Sequence, residues 1–185
     1  MPRNVLVING HPDPRPERYC AALCDAYRAG ANEAGHSVTD IAVGALNSLG
    51  CGSEDPDDIR AAHRAICQAD RLLLVFPLWV DQAPLVLRQF FSRLAAFSSA
   101  NCPGAQLAIR PESIRTVVTM DMPALAHRAA ARCKAGPQTA QPDRGVAVPG
   151  LNLAQPTFIG SVRHIPQSRR VQWIEDLHAC GLRAA

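Results

Sequence analysis

The chain has 185 residues, 48% of them hydrophobic and 19% charged, with a formal net charge of +3. It can bury one sizeable core, and its length favours a single domain over residues 1–185. The modest charge excludes a disordered charged tail and a strongly basic nucleic-acid binder.

In chain order, Val5-Leu6-Val7-Ile8 is a short β-branched-rich run of the kind found in strands buried on both faces. It is shorter than a signal-peptide core, and no stretch approaches a membrane span. Seven scattered cysteines (20, 24, 51, 67, 102, 133 and 180) include no C-x-x-C pair, so they read as small buried hydrophobes in a reducing compartment. No metal site is expected, and the location expected is cytoplasmic. A Pro-rich loop, residues 10–18, follows the first strand. The next helix places Cys20, Leu23, Cys24, Tyr27 and Ala31 on one face and is stopped by Gly35. His36 to Val43 is a second strand.

Asp55-Pro56-Asp57-Asp58 opens a helix with acidic residues at the positive end of its dipole, and Ile59, Ala62, His63, Ile66 and Cys67 form its apolar stripe. Leu72 to Phe76 is the clearest strand, ended by Pro77. Pro84 starts a helix that buries Leu87, Phe90, Phe91 and Leu94. Residues 98–112 read as a loose segment, 114–120 as a strand, 123–133 as a helix and 134–149 as irregular. A last strand is expected at 157–161. The closing amphipathic helix, 168–180, rests on Val171, Ile174 and Leu177 and ends at Gly181. This alternation predicts an α/β flavodoxin-like three-layer sandwich with a five-stranded parallel sheet in the order 2-1-3-4-5. Its ligand site should lie at the carboxyl ends of strands one, three and four.

Three loops sit there. The first, Gly10 to Arg18, leads into a helix N-terminus, where amides and dipole favour anions. Three prolines remove three of those amides, and Arg15 and Arg18 can replace them with charge-assisted hydrogen bonds. The competing reading is a stiffened turn with solvated arginines. The second loop, Phe76 to Pro84, presents Trp79 between two prolines, which suits a flat heteroaromatic ligand. A tryptophan packed at a helix start fits the same residues. The third, Thr119-Met120-Asp121-Met122-Pro123, can line an apolar pocket or act as a helix cap.

The stretches VLVINGHPDPRPERYCAALCDAY, ADRLLLVFPLWVDQAPLVLRQFFSRL and IRTVVTMDMPALAHR, with the tail LNLAQPTFIGSVRHIPQSRRVQWIEDLHACG, resemble the flavodoxin-like NAD(P)H dehydrogenase (quinone) family. The resemblance implies a homodimer with FMN or FAD at the subunit interface. It implies a ping-pong reaction in which NAD(P)H reduces the flavin, leaves, and a quinone or related small aromatic acceptor takes the electrons. By position, His11, Arg15, Pro16, Glu17 and Arg18 would face the flavin phosphate and ribityl chain. Pro77, Leu78, Trp79 and Val80 would lie along the isoalloxazine, and Thr119, Met120, Asp121 and Met122 would approach its other edge. Asp121 and His127 would stand near the acceptor as candidate proton relays.

The chain departs from that pattern at Pro16-Glu17-Arg18, where members often carry Ser-Phe-Asn, so that a carboxylate is expected beside the phosphate. It also has Val80 and Asp81 in place of aromatics. Two alternatives follow from these losses. One is a repurposed enzyme with weak or no flavin binding that acts on a small molecule without redox chemistry, and the other a non-catalytic ancillary regulator. A short-chain dehydrogenase is set aside, because G-x-G-x-x-G is missing after the first strand.

Overall fold

The computed structural model describes residues 1–46, 56–79, 82–101, 114–126 and 156–184. The elements are β1 (Asn4–Asn9), α1 (Tyr19–Glu33), β2 (Ser37–Ala42), α2 (Pro56–Gln68), β3 (Arg71–Leu78), α3 (Leu85–Asn101), β4 (Ile114–Met120), β5 (Thr157–Ile159) and α4 (Gln167–Arg183). The strands form one parallel sheet in the order β2-β1-β3-β4-β5, as the alternation predicts.

Continuous apolar runs make this sheet possible because alternate residues are buried on opposite faces. Leu6, Ile8, Leu72, Leu74 and Phe76 join α2 and α3 in one core, where Leu87, Phe90, Phe91 and Leu94 have no exposed surface. Val5, Val7, Leu73, Val75 and Val117 join α1 and α4 in the other, against Leu23, Tyr27 and Leu177. Gly35 ends α1 as expected: it takes φ +77°, and its N–H donates to the Asn32 carbonyl at 2.9 Å.

Four local expectations are corrected. Pro77 does not end β3, which pairs Pro77 with Thr119 and Leu78 with Met120. The β1 ladder stops at Asn9 opposite Val75, and the Val75 carbonyl accepts the Gly10 N–H at 2.8 Å. Two residues on, the Pro77 nitrogen faces the same side, where no strand needs its missing donor.

α3 runs on to Asn101, taking in the first four residues of the segment expected to be loose and burying Ser98; the rest of that segment, and residues 134–149, lie outside the described residues. Gly181 lies inside α4 rather than beyond its end; a Cβ there would sit 2.1 Å from the Tyr27 carbonyl, and one on Gly30 2.1 Å from the His178 carbonyl. These glycines let α1 and α4 cross with their backbones in contact. Finally, Cys67 is exposed and so is Val171, since neither points into a layer; Cys20 and Cys24 are buried. The helix expected at 123–133 is described only at 124–126, which are helical, and the rest lies outside the described residues.

Candidate active site

The first loop is organised from within. Asn9, buried at the end of β1, accepts the His11 N–H on its Oδ1 at 3.0 Å. The His11 ring returns to the loop, with Nδ1 2.9 Å from the Asp13 carbonyl oxygen and 3.0 Å from the Asp13 nitrogen. Burial, helped by the Arg18 charge, lowers the His11 pKa, so the ring is neutral where it meets Trp79 edge-on at 5.9 Å.

Asp13 is the hub. Arg15 Nη2 donates to its Oδ2 at 2.7 Å and Arg15 Nε to its Oδ1 at 2.9 Å, while Arg18 Nε donates to Oδ2 at 2.6 Å and Arg18 Nη2 also reaches that oxygen. The Arg15 and Arg18 guanidiniums hold the Asp13 carboxyl well below the usual carboxylate range. α1 then begins at Tyr19 with no side-chain cap and no acidic residue in its first turn. Such a start leaves helix N–H groups and the positive dipole end to an outside anion.

The second loop closes on itself. The Trp79 N–H donates to the Gln82 carbonyl and the Gln82 N–H to the Trp79 carbonyl, both at 2.9 Å, so neither amide is left for a ligand. What Trp79 offers instead is its indole, half of it exposed. Leu78 is buried in the core below.

At the end of β4, the buried Thr119 hydroxyl lies 3.4 Å from Cys20 Sγ, and burial pushes the Cys20 thiol up to about 11. Asp121 is held by Arg163, whose Nε lies 2.9 Å from Oδ2. Met122 is exposed; its carbonyl accepts the Ser161 N–H at 3.1 Å, and the Met120 carbonyl accepts the Val162 N–H at 3.0 Å. The chain leaving β5 is thereby strapped over the end of β4.

One cleft of about 430 Å³ gathers His11, Arg18, Pro77, Trp79, Thr119, Met120 and Asp121. It opens at the carboxyl ends of β1, β3 and β4, where the strand order reverses. Five other expected residues stand elsewhere. Arg15 is exposed and folded back on Asp13; Glu17 is exposed and off the cleft; Leu78 is in the core; Met122 is outside the lining. Pro16 lines a separate hollow of about 170 Å³ behind the loop, with Asn9, Pro14 and Cys24. Val80 and His127 lie outside the described residues.

Sequence reasoning missed Asp13, Tyr19, Cys20, Val162, Arg163 and Arg170 as lining residues. Arg170 carries a readable signal, since a cation in the first turn of α4 opposes the helix dipole. Its guanidinium lies 5.1 Å from the centre of the Tyr19 ring and donates to the Val162 carbonyl. The Tyr19 hydroxyl is buried and has no hydrogen-bond partner among the described residues. The cleft thus sets Arg18, Arg163 and Arg170 against Asp13 and Asp121 and favours an anionic ligand. Among the described residues, no cluster of three or more His, Cys, Asp or Glu side chains is placed to hold a metal. No helix among them is long and apolar enough to cross a membrane.

A family model described as a flavodoxin-like fold matches residues 3–164. No curated protein gives a match. Among solved structures, the chain is similar to an NAD(P)H:quinone oxidoreductase from Methanothermobacter marburgensis, with TM-score 0.71 and 18% identity over 99% of this chain and 97% of the other. It is similar to a Klebsiella pneumoniae protein assigned as a quinone reductase, with TM-score 0.69 and 18% identity over 96% of this chain and 83% of that one. An FMN-dependent NADH-azoreductase from Bacillus anthracis, in complex with FMN, gives TM-score 0.57 and 11% identity over 99% of both chains. At these identities the likeness is one of fold.

Proposed function

Because the chain belongs to the flavodoxin-like fold family, we propose that it is a flavin-dependent NAD(P)H oxidoreductase that reduces a quinone or related small aromatic acceptor by ping-pong hydride transfer. The observation that carries this reading is the composition of the cleft at the strand-order reversal. There the uncapped start of α1, three arginines and a half-exposed indole face one space.

These residues fit a flavin. The volume lies within the range of small-molecule sites, about 300–1,000 Å³. Arg18, Arg170 and the first amides of α1 would hold the phosphate-bearing end. Pro77, Trp79, Thr119 and Met120 would hold the ring system, whose flat face an indole suits. The buried Tyr19 hydroxyl, unpartnered among the described residues, would gain a partner from the ligand. Glu17, expected to oppose the phosphate, is turned away from this space.

A bound flavin supplies acceptance of a hydride from NAD(P)H and its return, as two electrons, to the acceptor. The chain's part is to position and to supply protons. Asp121, half-exposed at the mouth and steadied by Arg163, is the proposed relay from solvent to the reduced acceptor's oxygen. His127 is proposed as a second relay from the segment that follows. Leu85, Met122 and Leu125, all large, apolar and exposed near the carboxyl end of the sheet, support a homodimer.

The test is a visible spectrum of the purified protein, followed by FMN and FAD titrations read by flavin fluorescence. A yellow protein or saturable binding, then parallel double-reciprocal plots for NAD(P)H and a quinone, is the expected result. A second reading, a non-redox enzyme without flavin, is favoured by one observation: Asp13 already occupies both loop arginines. A colourless protein indifferent to both flavins would sink the first reading in favour of the second.

A further inference from the structure

Arg15 and Arg18 look, in sequence, like two free cations beside an anion site. In the structure neither is free. The Asp13 carboxylate takes Arg15 through Nε and Nη2 and Arg18 through Nε and Nη2, so one internal anion fills the donor forks of both. Arg18 and Asp13 both line the cleft, while Arg15 is drawn out of it. The carboxylate is fixed on its other side as well. Its Oδ1 accepts the Arg15 N–H at 3.2 Å, and the Asp13 main chain is pinned at 2.9 and 3.0 Å to the His11 ring.

A planar guanidinium binds a carboxylate and a phosphate through the same forked donors, so the two anions compete for it. A phosphate entering beside α1 would meet a negative oxygen where the positive fork should be. The two guanidiniums outweigh Asp13 by one charge, and Arg18 is 43% exposed, so exchange remains open.

We propose that Asp13 is a specificity-determining residue: an internal competitor that occupies Arg18 at the cleft and admits a phosphate ester only by being displaced. This rests on the flavin site proposed above for its choice of ligand. The site therefore discriminates weakly between a phosphorylated ligand and its dephosphorylated form. Removing the Asp13 charge restores the discrimination.

The experiment compares wild type with Asp13→Asn, which keeps Oδ1 for the Arg15 N–H. Calorimetric titrations use FMN, riboflavin and inorganic phosphate, with melting temperature as the folding control; Asp13→Ser serves as a second variant if the first melts early. FMN and inorganic phosphate should each bind about tenfold tighter to the variant, equivalent to about 1.4 kcal/mol, with riboflavin unchanged. Equal or weaker phosphate binding in a folded variant overturns the proposal, because Asp13 would then organise the arginines rather than compete for them. So does a variant that binds no phosphate, and so does an equal gain for riboflavin. If phosphate tightens while both flavins bind neither protein, the flavin reading falls and the competitor role stands.

Discussion

The two ends of the sheet use the same residue types for different ends. At the amino end, Arg3 Nη1 and Arg71 Nε donate to the Ala184 carbonyl at 3.2 and 2.9 Å, and Asp70 Oδ2 accepts the Asn4 N–H at 2.8 Å. There charge closes the fold: each group is bonded to main chain, and the last residues of α4 are fastened down. At the carboxyl end, Arg18, Arg163 and Arg170 are also bonded, yet all three still face a cleft, beside a tyrosine hydroxyl with no partner among the described residues. Ion pairs that remain solvated are weak, about 0–1 kcal/mol, so a ligand can exchange with them. The difference teaches that the cleft end holds its polar groups in place without using them up.

The comparison breaks hardest behind the sheet, where α1 and α4 touch through glycine. Gly181→Ala would drive a methyl group into the Tyr27 carbonyl. Urea unfolding should show a loss of roughly 3 kcal/mol, the upper end for overpacking. A loss below about 1 kcal/mol would mean that the helices can part cheaply.

Next in size is a paired test of the two ends. Arg170→Ala should weaken FMN about tenfold or more while the midpoint of unfolding barely moves. Arg71→Ala should cost about 1 kcal/mol of stability, the worth of a lost hydrogen bond, and leave FMN affinity alone. Reversed results from calorimetry and denaturation would abolish the distinction between the ends.

Tyr19→Phe sharpens it further. The hydroxyl it removes has no partner among the described residues, so stability should stay level or rise by up to about 1 kcal/mol. FMN affinity should fall at the same time. A destabilised variant would show that the hydroxyl is satisfied after all.

The smallest effect is one of pH. Burial lowers the His11 pKa in the folded chain, so the unfolded chain takes the proton first on acidification. Stability tied to His11 is therefore full above about pH 6.5 and declines as pH falls from there toward the lowered folded value. His11→Gln should flatten that part of the profile; parallel profiles for the two proteins would show that His11 titrates as freely folded as unfolded.

The amino-acid sequence by itself determined the sheet. Runs such as Val5–Ile8 and Leu72–Phe76, the helical spacing of Leu87, Phe90, Phe91 and Leu94, and the stop at Gly35 each act within a few residues, where periodicity reports burial directly. It also pointed to the three loops around the cleft, because strand order dictates where ligands can bind. Only the tertiary structure decided what those loops offer. Whether Gly181 ends a helix or lets one approach its neighbour depends on the Tyr27 backbone, which lies on another helix. Arg170 reaches the cleft because the chain after β5 folds across the end of β4. Arg15 and Arg18 read as free cations until Asp13 is seen between them. Charge is written in the chain, but which partner satisfies it is settled by distance in three dimensions, and on that choice the chemistry of the cleft depends.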